Sequence, residues 1–173
     1  MQTFNSAKKL IAVCDKNGNT TSMLKKILKF CNRENYVISS TDKPTHENIQ
    51  PAVLLLSDVD NRIFSNEFSV CVSDYAFSAV REISDLQPIT YSSRSDEADF
   101  TAKNIRITEN GYLAFEIIGV GVIGRVRLNI KDKSQQGCEE IVSNALGAAS
   151  AAISCGIPFA EVLDALNNIQ FDN

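Results

Sequence analysis

The chain has a single histidine, His46. A zinc site or a histidine-based triad would need unusual partners here, so metal-hydrolase and serine-nucleophile chemistries are weak candidates. Cysteine is present without a pattern. Cys14, Cys31, Cys71, Cys138 and Cys155 include no C-x-x-C pair, are odd in number and have mostly apolar neighbours. Buried free thiols in a reducing compartment are the expectation. No apolar run is long enough to cross a bilayer. The start, Met1 to Lys9, is polar and lacks the apolar region of a signal peptide, which points to a cytoplasmic protein with no membrane partner. Net charge is −4 and the basic residues are scattered, so no basic stripe is available to counter a phosphate backbone. Nucleic acid is excluded as an expected partner.

What remains is an ordinary globular composition, 44% hydrophobic and 22% charged over 173 residues, which suits one domain spanning residues 1–173. Up to about residue 91, short apolar runs alternate with helical patterns, as in parallel-sheet α/β units. Leu10–Cys14 predicts a buried strand and Thr20–Asn32 a helix, with Met23, Leu24, Ile27, Leu28 and Cys31 on its apolar face. Strands are expected at Tyr36–Ser39, Val53–Leu56, Phe68–Val72 and Ile89–Tyr91, with a helix over Ala76–Ser84. Beyond residue 98 the period becomes that of antiparallel strands. Ala102–Thr108 and Tyr112–Ile118 flank Asn110-Gly111, a strong hairpin signal, and Arg125–Ile130 alternates in the same way. Two helices follow, divided by Gly156-Ile157-Pro158. The first is rich in Ala, Ser and Gly, so something should pack closely against it.

One motif matches a fingerprint only in letters. Gly119-Val120-Gly121-Val122-Ile123-Gly124 reads G-x-G-x-x-G, but the dinucleotide site needs a helix N-terminus directly afterwards. Arg125-Val126-Arg127-Leu128 alternates like a strand instead, so the glycines are expected to serve as a flexible strand connection.

The loop Cys14-Asp15-Lys16-Asn17-Gly18-Asn19-Thr20-Thr21 joins a buried strand to an amphipathic helix. That is the arrangement in which helix amides surround phosphate, a lysine reaches the β/γ oxygens and a hydroxyl holds Mg²⁺. A capped helix start explains the same residues, since Asn and Thr both cap well. Val53-Leu54-Leu55-Leu56-Ser57-Asp58 is an apolar strand ending in an acid, so Asp58 with Thr20 is a candidate reduced Mg²⁺ site, and a strand-end turn acid is the simpler alternative.

Ile11-Ala12-Val13-Cys14 with this loop resembles the start of the ATP-binding middle domain of the Mur ligases, where Gly-Thr-Asn-Gly-Lys-Thr-Thr follows the first strand. Asn17, Gly18, Thr20 and Thr21 match; Asp15, Lys16 and Asn19 replace glycine, threonine and lysine. Further matches follow in order: Val70-Cys71-Val72-Ser73-Asp74, Ala98-Asp99-Phe100-Thr101-Ala102-Lys103-Asn104-Ile105, Asn144-Ala145-Leu146-Gly147-Ala148-Ala149 and Gly156-Ile157-Pro158. The resemblance implies an α/β, P-loop-like three-layer domain, its mostly parallel sheet carrying a small antiparallel hairpin region. It implies ATP and Mg as ligands, with Lys16, Asn17, Gly18, Asn19, Thr20, Thr21 and Asn144 at the nucleotide.

The departures carry equal weight. The family's long segment between the loop helix and the strand matched by Val70–Asp74 is much shorter here, and its metal-binding glutamate, its histidine and its modified lysine have no counterparts. His46 lacks the context. The flanking domains are also expected to be missing. Asp15 repels a phosphate charge by roughly 3 kcal/mol at about 5 Å and an effective dielectric near 20; alternatively it lays its own carboxylate at the helix N-terminus. The expectation is a non-catalytic Mur-ligase-like domain, a pseudoenzyme with no catalytic residue, scaffolding or regulating peptidoglycan-precursor synthesis. A nucleotide-binding module and one subunit of a split ATP-dependent ligase are the alternatives. A protein partner or a second copy is expected, through the small-residue helix or the hairpin beside it.

Overall fold

The computed structural model describes residues 7–40, 49–58, 68–77, 87–131 and 133–170. Its frame is one eight-stranded sheet built from β1 (Lys8–Cys14), β2 (Tyr36–Ser39), β3 (Ile49–Leu56), β4 (Val70–Asp74), β5 (Ile89–Ser92), β6 (Phe100–Ile107), β7 (Tyr112–Gly119) and β8 (Val122–Asn129). The spatial order is β2-β1-β3-β4-β5-β6-β7-β8. Every pairing from β2 to β6 is parallel, and the two pairings of β6, β7 and β8 are antiparallel. The chain leaves β1 for β2 on one side and then crosses to β3 on the other. The loop after β1 therefore sits at the reversal point of strand order, where open α/β sheets place their ligands.

Helix α1 (Asn19–Phe30) buries Thr20, Met23, Leu24, Ile27 and Leu28 on one stripe, as the spacing of its apolar residues dictates. It stops two residues before its expected end because Asn32 turns left-handed, at φ 54, while Arg33 N–H donates back to Leu28 O at 2.8 Å. Helix α2 (Gln135–Ser154) is capped by Ser134, whose side chain accepts from Gly137 N–H at 3.1 Å. Helix α3 (Phe159–Asn168) follows Pro158, as the proline predicts. The expected helix over Ala76–Ser84 lies largely outside the described residues.

All three helices belong to the larger buried cluster on one face of the sheet, centred on Ile11, Val13, Leu55, Val72, Phe115 and the small residues of α2. Leu10, Ala12, Cys14, Leu54, Leu56, Phe68 and Cys71 form a second buried cluster on the opposite face. A parallel sheet buried on both faces is what a three-layer fold requires.

Several strand limits move for local reasons. β3 begins four residues earlier than the apolar run suggests and contains Pro51; the register slips between Leu10 and Ile11, so a bulge accommodates it. β4 starts at Val70, leaving Phe68 buried in the preceding connection. β8 starts at Val122 because Gly119 pairs with Val122 across a two-residue turn. The G-x-G-x-x-G segment is thus a tight hairpin and not a flexible connection. Gly121 supplies the φ of 74 that a side chain would resist.

Helix α2 also corrects an expectation. Ala145 through Ala152 are buried inside the chain's own core, so the small residues serve internal packing and offer no outer surface for a partner. At the tip of the β7–β8 hairpin, Val120 and Ile123 are exposed.

Candidate functional site

The candidate site forms where β1, β3 and β4 end, and where the first turn of α1 meets the second to fourth turns of α2. Gly18 occupies the N-cap of α1 at φ 72 and brings no side chain to the orphan amides. Asp15 supplies the missing acceptor from three residues upstream. Its Oδ2 accepts from Thr21 N–H at 2.8 Å and from Thr21 Oγ1 at 2.9 Å. A carboxylate fixed at a helix N-terminus is held both by charge-assisted hydrogen bonds and by the helix dipole. The amide and hydroxyl of Thr21 are therefore engaged from within the chain.

The other loop residues have separate partners. Lys16 Nζ lies 3.3 Å from Asp58 Oδ1, in a pair whose lysine is 68% exposed, so it contributes little to stability. Asn17, Gly18 and Asn19 are exposed, and Asn19 Nδ2 donates to Glu140 Oε1 at 3.4 Å. Thr20 is fully buried, its hydroxyl donating to Asn144 Oδ1 at 2.9 Å. The structure thus brings Thr20 and Asn144 into contact. Thr20 and Asp58, paired above as Mg²⁺ ligands, instead bond to Asn144 and Lys16 respectively. Among the described residues, no group of three or more His, Cys, Asp or Glu is placed to hold a metal ion. His46 lies outside the described residues.

Residues absent from the sequence-based site complete it. Tyr91 ends up beside the loop because β5 pairs with β4 so that Asp74 lies opposite Tyr91. Its phenol packs against the backbone of Gly147 in α2, where a Cβ would come within 2.8 Å of Tyr91 Cζ and Oη. Burial holds that hydroxyl well above its ordinary pKa, and the carboxylates of Asp74 and Asp15 push it the same way. Asp74 accepts from Ala76 N–H at 2.9 Å and from Ser143 Oγ at 3.4 Å. Burial still raises its carboxyl above the usual range, against the opposing effect of those donors and of Arg94. Asp74 was legible in the sequence only as the end of the matched segment Val70–Asp74. Its neighbours Tyr91 and Ser143 depend on sheet register and helix placement, which local patterns do not carry.

The direction of the Asp74 shift has a measurable consequence. A folded-state pKa above the unfolded one favours folding in acid, and that contribution is lost as pH rises through the folded value. Asp74→Asn keeps an acceptor for Ala76 N–H and removes the buried charge. Its thermal midpoint should exceed that of the wild type at neutral pH, and the gap should close below the carboxylate range. A variant that loses stability at neutral pH would show that the charge itself is needed.

None of the five cysteines is in a disulfide; burial raises Cys71 to about 11 and Cys155 to about 12, leaving both as unreactive thiols near neutral pH. Among the described residues, no helix is long and apolar enough to cross a membrane.

No protein-family model matches the sequence, and no curated protein does. Solved structures do match. The UDP-N-acetylmuramoylalanyl-D-glutamyl-2,6-diaminopimelate–D-alanyl-D-alanyl ligase of Acinetobacter baumannii aligns at TM-score 0.67 and 17% identity, covering 97% of this chain and 47% of that one. MurC from Thermotoga maritima aligns at TM-score 0.64 and 14% identity, covering 94% and 45% respectively. The UDP-N-acetylmuramate:L-alanyl-gamma-D-glutamyl-meso-diaminopimelate ligase from Neisseria meningitides aligns at 0.60 and 14%, covering 99% and 69%. The chain spans about half the length of the first two. At these identities the likeness concerns architecture, and on that basis the chain has the fold of the Mur ligase middle domain.

Proposed function

We propose that this chain is a non-catalytic Mur-ligase-like domain, a pseudoenzyme that acts through protein contacts as a scaffold or regulator in peptidoglycan-precursor synthesis. One observation carries the reading: the Asp15 carboxylate accepts from both the amide and the hydroxyl of Thr21, in the place where a phosphate would need them. A nucleotide must displace a tethered anion and then bear the charge of Asp15 beside it, without the family's lysine at position 19 to offset the cost. The choice of pathway is supported by the structural neighbours, which are ligases named for muramoyl substrates.

Calorimetric titration with ATP and Mg²⁺ in physiological salt should give binding no tighter than millimolar, and purified chain mixed with muramoyl precursors should form no amide product. Micromolar affinity would overturn the reading in favour of a nucleotide-binding module. That second reading has its own support in Gly18, which keeps the left-handed turn of a phosphate loop, and in exposed Asn17 and Lys16. ATP turnover that follows the chain through purification would overturn both.

A further inference from the structure

The two edges of the sheet are treated differently. At β8, Arg125 C=O and Arg127 N–H point away from β7. Asn167 of α3 covers both, donating from Nδ2 to Arg125 O at 3.1 Å and accepting at Oδ1 from Arg127 N–H at 2.8 Å. Its carboxamide takes the place of a neighbouring peptide group and closes that edge to strand addition. No described residue does the same at β2, the opposite edge. Lys9 pairs with Tyr36, and Lys9 N–H donates to Asn35 O at 2.9 Å, which fixes the alternation of the parallel ladder. Asn35, Val37 and Ser39 turn their peptide groups toward β1. Tyr36 C=O and both peptide groups of Ile38 face outward.

Beside that edge runs a groove of about 240 Å³ between β2 and α1. Leu28, Tyr36 and Ile38 supply its apolar floor, and Lys25, Lys29 and Arg33 its rim, with Glu34 the single acid in the lining. None of the three cations forms an ion pair among the described residues. The concentration is local, in a chain whose net charge is −4. A strand added outside β2 would lie about 4.8 Å away, with every second side chain on the α1 side, over this groove.

We propose that the β2 edge takes an extended acidic segment of a partner protein by strand addition, its backbone pairing with Ile38 and its acidic side chains meeting Lys25, Lys29 and Arg33. Outward-facing peptide groups specify a peptide rather than a small anion, and three cations with no ion pair among the described residues specify its charge. This gives a location to the protein contacts proposed above and rests on that reading for its biological role. It involves none of the residues of the loop after β1, so a failed peptide titration leaves the ATP result standing, and the reverse.

The test uses the full chain and labelled short peptides alternating valine with glutamate, or valine with lysine. The valine–glutamate peptide should raise the anisotropy signal saturably, weaken as salt increases, and shift the backbone amide resonances of Tyr36–Ser39. The exposed double variant Lys25→Glu/Lys29→Glu should stay folded and lose at least about tenfold in affinity, the scale expected when attraction becomes like-charge repulsion. Equal binding of the lysine peptide, absence of any signal, or undiminished binding to the double variant overturns the proposal. So does sedimentation showing a dimer that the double variant dissociates, since the edge would then be occupied by a second copy.

Discussion

Asp15→Gly combined with Asn19→Lys should tighten MgATP binding by at least about tenfold, without restoring catalysis. Tenfold requires ~1.4 kcal/mol. Removing Asp15 deletes a charge at hydrogen-bonding distance from Thr21 and returns the Thr21 amide and hydroxyl to an incoming phosphate. A lysine at position 19 adds a positive charge at the first turn of α1. Each change is worth roughly 1–3 kcal/mol toward a phosphate. One local competitor works against the gain. Asn19 already reaches Glu140 at 3.4 Å, and a lysine there would pair with it. Both groups are exposed, so that pair should cost at most about 1 kcal/mol. The sum stays above the tenfold threshold, and adding Glu140→Gln should raise it further.

The same double variant carries a stability signature. Losing the carboxylate leaves Thr21 without its cap, which costs about 1 kcal/mol, and inorganic phosphate should recover part of the loss by binding the folded state. Phosphate should therefore raise the thermal midpoint of the variant and leave the wild type nearly unchanged. An identical ATP titration for a folded double variant would mean that the loop no longer fits phosphate even when emptied. Turnover should stay absent, because among the described residues no group of three or more His, Cys, Asp or Glu is placed to hold a metal ion.

The sequence read well wherever a feature depends on near neighbours along the chain. Asn110-Gly111 turned the β6–β7 hairpin as expected, with Gly111 N–H donating to Thr108 O at 2.8 Å, and Gly156-Ile157-Pro158 divided the last two helices. The apolar spacing of α1 predicted the stripe it buries. Where contacts cross the fold, the sequence was silent. Pro51 lies in the part of β3 that the apolar run did not announce and that a bulge in the β1–β3 pairing makes possible. The small residues of α2 signalled close packing, but their partners come from β5 and α1, distant in sequence. Asp15 was legible as a charge in the wrong place for phosphate. Which of its possible roles it plays follows from the path of the chain at Gly18, which aims the carboxylate at Thr21.

That close packing at α2 carries the second large effect. Gly147→Val should destabilise the protein by about 2–4 kcal/mol, since overpacking and a β-branched residue in a helix act together. For a chain of this size the thermal midpoint should fall by roughly 5–12 °C. The sign is not obvious beforehand, because replacing a mid-helix glycine normally gains up to about 1 kcal/mol of helix propensity. Geometry decides it. A Cβ at position 147 would stand 2.8 Å from Tyr91 Cζ and Oη and 3.2 Å from Thr20 Cγ2. Tyr91 is 1% exposed and Thr20 fully buried, so neither has open space to move into. Displacing Thr20 would also stretch its 2.9 Å bond to Asn144, coupling the packing defect to the loop. A double-mutant cycle with Tyr91→Phe separates the causes. Removing Oη deletes one of the clashing atoms and leaves Cζ. Tyr91→Phe should therefore restore part of the stability lost through Gly147→Val when the two are combined, while costing stability on its own. If Gly147→Val melts with the wild type, α2 and Tyr91 cannot be packed at this distance, and the placement of Tyr91 beside the loop falls with it.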